Sequence, residues 1–156
     1  MIVVADTSPI NYLLLIDQLD LLPRLFGQII LPDAVCAEMR DPDAPLALQR
    51  WIADPPDWMR TQIVPTLDPA LYDLDPGEQA AITLSLTLLA DLLLIDERLG
   101  RKAAQERGLR VIGIVGILDE AATQGWLDLD EAIIKLQATN FRISQQLIQR
   151  LKHNQR

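Results

Sequence analysis

Four acids stand where a carboxylate could do chemistry. Asp6 follows the apolar run Ile2-Val3-Val4-Ala5, and Asp96 follows Leu92-Leu93-Leu94-Ile95. Glu78 falls in the first turn of the helix predicted before the second run. Glu38 lies on the helix predicted after Gln28-Ile29-Ile30-Leu31. In an open α/β sheet the carboxyl ends of the strands form the edge where ligands bind. Carboxylates gathered on one edge repel one another and need protons or cations to be tolerable. Magnesium and manganese are hard ions with oxygen ligands. Beside a phosphodiester they activate water and stabilise the leaving oxygen.

Each acid also has a structural explanation. Asp6 can cap a turn and Asp96 a helix. Asp75-x-x-Glu78 has the spacing of a capping box, which by itself favours Glu at the third helical position. Glu38 can be a surface helix residue. Ser8 is a candidate N-cap with Pro9 as the first helical residue. A hydroxyl at Thr7 or Ser8 can also hold a metal-bound water.

The elements that must position these residues alternate along the chain. Strands are predicted at 2–5, 28–31, 61–64, 92–95 and 111–115. Helices are predicted at 10–19, 20–26, 34–40, 46–53, 75–90, 97–107, 116–123, 129–138 and 144–152, with an acidic loop at 67–75. Five short apolar strands separated by helices mean an α/β fold with a parallel sheet and helices on both faces. The expected organisation is one domain over residues 1–156, with a basic helical tail from about 141.

Composition excludes several classes. With 156 residues, 49% of them apolar, the chain is long enough for a real core and is not disordered. Cys36 is the single cysteine, so no internal disulfide can form. It reads as a buried structural thiol, and a cytoplasmic location is expected. Met1 leads straight into a strand, so no secretory leader is expected. The apolar run over 80–95 is broken by Asp91 and too short for a membrane span. The net charge of −8 argues against passive binding of a polyanion. The charge is uneven, however. Residues 132–156 hold five Lys/Arg and no acid. His153, the one histidine, lacks partners for a nucleophilic triad or a zinc site. No glycine-rich phosphate loop is present. Leu13-Leu14-Leu15-Ile16 and Leu21-Leu22 exceed what one buried helix face requires, which points to a homodimer surface or to extra core contacts.

The motifs Asp6-Thr7-Ser8-Pro9-Ile10, Leu31-Pro32-x-x-Val35-x-x-Glu38, Asp75-x-Gly77-Glu78-x-x-Ala81-Ile82 and Leu94-Ile95-Asp96-Glu97, with Arg101 and Ala104 downstream, resemble a PIN domain. More narrowly, the chain resembles the prokaryotic branch of VapC-like toxins, and the resemblance includes the tail Phe141-Arg142-Ile143-Ser144. It implies a three-layer fold with a five-stranded parallel sheet of order 3-2-1-4-5. It also implies a Mg2+- or Mn2+-dependent endoribonuclease, the toxin of a toxin–antitoxin pair, with RNA as substrate and a small antitoxin as partner. Asp6, Glu38, Glu78 and Asp96 match the family's acidic positions. Asp6 and Asp96 would hold the metal directly, Glu78 directly or through water, and Glu38 would complete the site or orient the attacking water. Ser8, Glu97 and Arg101 match supporting positions. Two departures stand out: Glu97 replaces a second aspartate, and no threonine follows strand five. The alternative is a catalytically degenerate domain that binds a partner.

Overall fold

The computed structural model describes residues 1–143 and 145–154. Ser144, residues 155 and 156, and the side chains of Gln145 and residues 152–154 lie outside the described residues. That takes in Lys152, His153 and Arg156 of the expected basic tail. Strand β1 (Val3–Ala5) leads into α1 (Thr7–Leu15) and α2 (Leu21–Phe26). After β2 (Ile29–Pro32) come α3 (Asp33–Arg40) and α4 (Leu46–Ala53). A 3-10 turn (Pro69–Leu71) and α5 (Pro76–Leu88) follow β3 (Met59–Gln62). Then come β4 (Leu92–Leu94), α6 (Arg98–Glu106), β5 (Val111–Ile112), α7 (Ile114–Thr123), α8 (Leu129–Gln137) and α9 (Gln145–Asn154).

The sheet is parallel in the order β3-β2-β1-β4-β5, as the resemblance implies. Parallel neighbours cannot be joined by tight hairpins, so each connection is a helical crossover. Side chains alternate between two cores. Val3 and Ala5 of β1 join Leu94, Ile29 and Leu31 in a core shared with α1–α4 and α7–α9. Val4 joins Leu93, Ile95 and residues of α5 and α6 in the other. The result is a three-layer fold. Burial on both faces explains why the central strands are continuous apolar runs.

The apolar run at the start of the chain is mostly absorbed by this packing. Leu13, Ile16, Leu21 and Leu22 are buried, Leu14 is half-buried, and Leu15 is exposed, at 48%. Cys36 is buried, as expected, with Sγ 3.6 Å from Thr61 Oγ1.

Several boundaries differ from the sequence expectation. Helix α1 begins at Thr7, with Asp6 as its extended N-cap residue, so Ser8 is not the cap and Pro9 is the third helical residue. Proline is tolerated there because first-turn N–H groups have no helical partner. Strand β3 runs over Met59–Gln62 rather than 61–64, because Met59 pairs with Ile29 and Trp58 O accepts from Ile29 N at 2.9 Å. As an edge strand it has no need to bury Ile63, which is 73% exposed. Strand β5 stops at Ile112 and α7 starts at Ile114, two residues before the expected Gly116. The acidic loop contains the 3-10 turn, capped by Asp68.

Candidate active site

Asp6 is the first residue beyond β1, and its N–H donates to Leu94 O at 2.9 Å. The register pairs Ala5 with Leu94, so both acids emerge from adjacent central strands at the same edge. Asp6 is only 3% exposed. Burial pushes its carboxyl up to about 7. A hydrogen bond from the Thr7 backbone opposes that rise, and the charges of Asp75, Glu38 and Asp96 add to it.

Glu38 reaches back from α3 to two helix starts. It accepts from Thr7 Oγ1 at 2.8 Å and from Gly77 N at 2.9 Å. It is therefore not a solvated surface residue, and burial raises its carboxyl above the ordinary range. The hydroxyl that meets an acid is that of Thr7, while Ser8 lies half-buried in the first turn of α1.

At Glu78, capping and clustering turn out to be compatible. The cap is made by Asp75, whose Oδ1 accepts from Glu78 N at 2.8 Å. The Glu78 side chain is left to turn inward and is 7% exposed. Burial, a hydrogen bond shared with Asp75, and the charges of Asp75, Asp6 and Glu97 raise it to about 9.

Asp96 joins two elements. Its Oδ1 accepts from Ile114 N at 2.9 Å, which fixes the start of α7. Ile114 thus engages the acid through its backbone N–H. Oδ2 of Asp96 is buried without a hydrogen-bond partner among the described residues. Burial raises this carboxyl to about 6; the Ile114 N–H and the Arg101 charge oppose the rise, and Glu97 adds to it. Arg101 is steadied by a 3.2 Å hydrogen bond to Ile95 O. Glu97 is exposed at the N-cap of α6.

Three glycines make room for three of these carboxylates. A Cβ on Gly77 would strike the Glu38 carboxylate. One on Gly100 would lie 2.6 Å from Glu78 Oε2, and one on Gly113 would lie 2.5 Å from Asp96 Oδ1. Sequence reasoning missed the roles of Gly100 and Gly113, which have no motif spacing, and took Asp75 only as a cap. It also missed Tyr12. The phenol is raised by burial and by the charges of Asp96 and Glu97, so α1 reaches the same neighbourhood. Among the described residues, no group of three or more His, Cys, Asp or Glu side chains stands close enough to hold a metal ion between them. The acids share one electrostatic neighbourhood rather than a closed ligand cage.

A family model described as a PIN domain matches residues 2–155. The chain belongs to the PIN-domain family. Its fold is also similar to that of a PilT N-terminus domain protein from the hyperthermophilic archaeon Sulfolobus solfataricus P2. The TM-score is 0.55 and the identity 13%, over 92% of this PIN chain and 100% of that one. No curated protein matches this chain. The PIN domain is a nuclease-type fold. Among the described residues, no helix is long and apolar enough to cross a membrane.

Proposed function

We propose that this PIN domain is a Mg2+- or Mn2+-dependent endoribonuclease of the VapC-like branch, the toxin of a toxin–antitoxin pair. One observation carries the reading. Asp6 and Asp96, at the ends of adjacent strands, both lose charge near neutrality, and Asp96 Oδ2 is buried without a partner. An unsatisfied buried polar atom costs roughly 1–3 kcal/mol. A cation relieves both the missing contact and the repulsion. The donor set is oxygen only, which suits a hard ion. Such ions are usually held by one or two carboxylates and keep several waters, so the absence of a three-acid cage is no obstacle.

In this reading Asp6 and Asp96 hold the ion and Glu78 supports it. A bound Mg2+ or Mn2+ supplies Lewis-acid stabilisation and lowers the pKa of water. Glu38, held by Thr7 and Gly77, would complete the site or orient the attacking water. Arg101 favours the ionised form of Asp96.

The test is incubation of the protein with total RNA in Mn2+ or in chelator, beside Asp6→Ala. Cleavage should require the ion and fall by on the order of 100-fold or more in the variant. Equal cleavage by parent and variant would overturn the assignment. The rival reading, a degenerate partner-binding module, predicts neither cleavage nor Mn2+ binding that depends on Asp6. The toxin role predicts growth arrest when the protein is expressed alone and relief by its neighbouring gene. Normal growth with abundant folded protein would exclude it.

A further inference from the structure

A cavity of 530 Å3 opens beside Asp96, on the side of β5. That is within the roughly 300–1,000 Å3 of ordinary ligand clefts. Asp96, Arg101 and Gly113 form one wall, and Phe141, Arg142 and Arg150 form the other. The second wall belongs to the C-terminal segment and is tied to the fold. Tyr12 donates from its hydroxyl to Asn140 Oδ1 at 2.9 Å and meets the Phe141 ring edge-on at 4.9 Å. Ile148 and Leu151 of α9 are buried in the core shared with α1.

We propose that this cavity is a track for the phosphodiester backbone of a single-stranded nucleic acid, leading from Asp96 along Arg101 to Arg142 and Arg150. It rests on the proposed nuclease reading of the acid edge and adds the route by which substrate reaches that edge. Three cations converge on one cavity in a chain of net charge −8. Among the described residues none of the three forms an ion pair. Guanidinium groups recognise phosphates bidentately, and Arg142 and Arg150 are exposed for that contact. The apolar part of the lining, with Phe141, gives bases a surface to rest on. A basic groove with an aromatic ring is how single strands are held without sequence reading. An acidic peptide would satisfy the arginines but would leave that apolar surface unused. The track also accounts for how an acidic protein holds a polyanion: the acids carry the cation, and the arginines take phosphates away from the reacting bond.

The experiment uses the full chain in chelator, where cleavage is off, and follows fluorescence anisotropy of a labelled single-stranded RNA and of DNA of the same sequence. The double variant Arg142→Ala/Arg150→Ala should bind roughly tenfold or more weakly. Its salt dependence should be shallower by about 0.7 per lost phosphate contact, or about 1.4 in all. Arg142→Lys/Arg150→Lys should recover part of the affinity. The RNA and DNA arms tell which strand the track prefers. Unchanged binding and salt slope in a double variant that melts like the parent would overturn the track. So would displacement of the strand by polyglutamate at equal charge concentration, which would point to an acidic protein partner. The two readings fail separately. Arginine-dependent binding without Mn2+-dependent cleavage keeps the track and removes the nuclease. Asp6-dependent cleavage untouched by the arginine substitutions does the reverse.

Discussion

Asp6 shows what burial at the strand-end edge costs a carboxylate. Its carboxyl moves from 3.8 to about 7 on folding. At about 1.4 kcal/mol per pKa unit, keeping it charged costs on the order of 4 kcal/mol. Two fully buried aliphatic side chains, at about 1.5–3 kcal/mol each, offset that. The sign follows from the direction of the shift. A raised folded pKa leaves stability intact below the unfolded value and removes it as pH rises through about 7. In chelator, Asp6→Asn should therefore melt above the parent at pH 8 and level with it near pH 4; in Mn2+ it should lose cleavage. Thermal melts across pH check this. A variant less stable than the parent at pH 8 would mean that Asp6 is held by contacts rather than strained by burial.

At the scale of elements, the site is assembled by helix starts. Thr7 begins α1, Asp75 and Gly77 begin α5, and Gly113 and Ile114 begin α7; each meets one of the acids. Backbone N–H groups with no helical partner are ready donors for carboxylates. The glycines keep those donors within reach. Gly113→Ala would push Asp96 Oδ1 off Ile114 N and crowd Arg101 Nη1 at 2.7 Å. Loss of that contact costs about 1 kcal/mol, and reduced freedom of the unfolded chain returns about 0.4–1 kcal/mol. The expected result is a melting temperature close to the parent's with cleavage reduced roughly 10- to 100-fold, the scale of damage to a ligand's support. Parallel melts and RNA cleavage time courses check it; equal loss of stability and activity would show a folding defect instead.

For the whole molecule, the proposed cation would have to displace the protons that these buried acids hold. Asp96, Asp6 and Glu78 lose theirs near about 6, 7 and 9. Mn2+ should therefore raise the melting temperature more at pH 8.5 than at pH 5.5. Saturation at a hundred times the dissociation constant contributes about 2.7 kcal/mol. Scanning fluorimetry with and without Mn2+ measures the difference. A shift equally large at pH 5.5 would place the ion away from these carboxylates.

The sequence by itself determined the α/β class, the parallel strands and the places of Asp6, Glu38, Glu78 and Asp96 in the chain. Strand periodicity and helix signals are local, and an acid directly after an apolar run is visible without coordinates. Even so, strand β3 and the starts of α1 and α7 were misplaced, because each is set by a partner distant in sequence: Ile29 for Met59, Leu94 for Asp6, Asp96 for Ile114. Only the tertiary structure decided that Thr7 rather than Ser8 meets Glu38. It also decided that Asp75 caps while Glu78 turns inward, and that Gly100 and Gly113 clear space for carboxylates. Burial and long-range hydrogen bonding depend on which elements pack together, and no local pattern encodes that. The four acids were legible as residues; their protonation and their partners arose only when the strands and helix starts met at one edge.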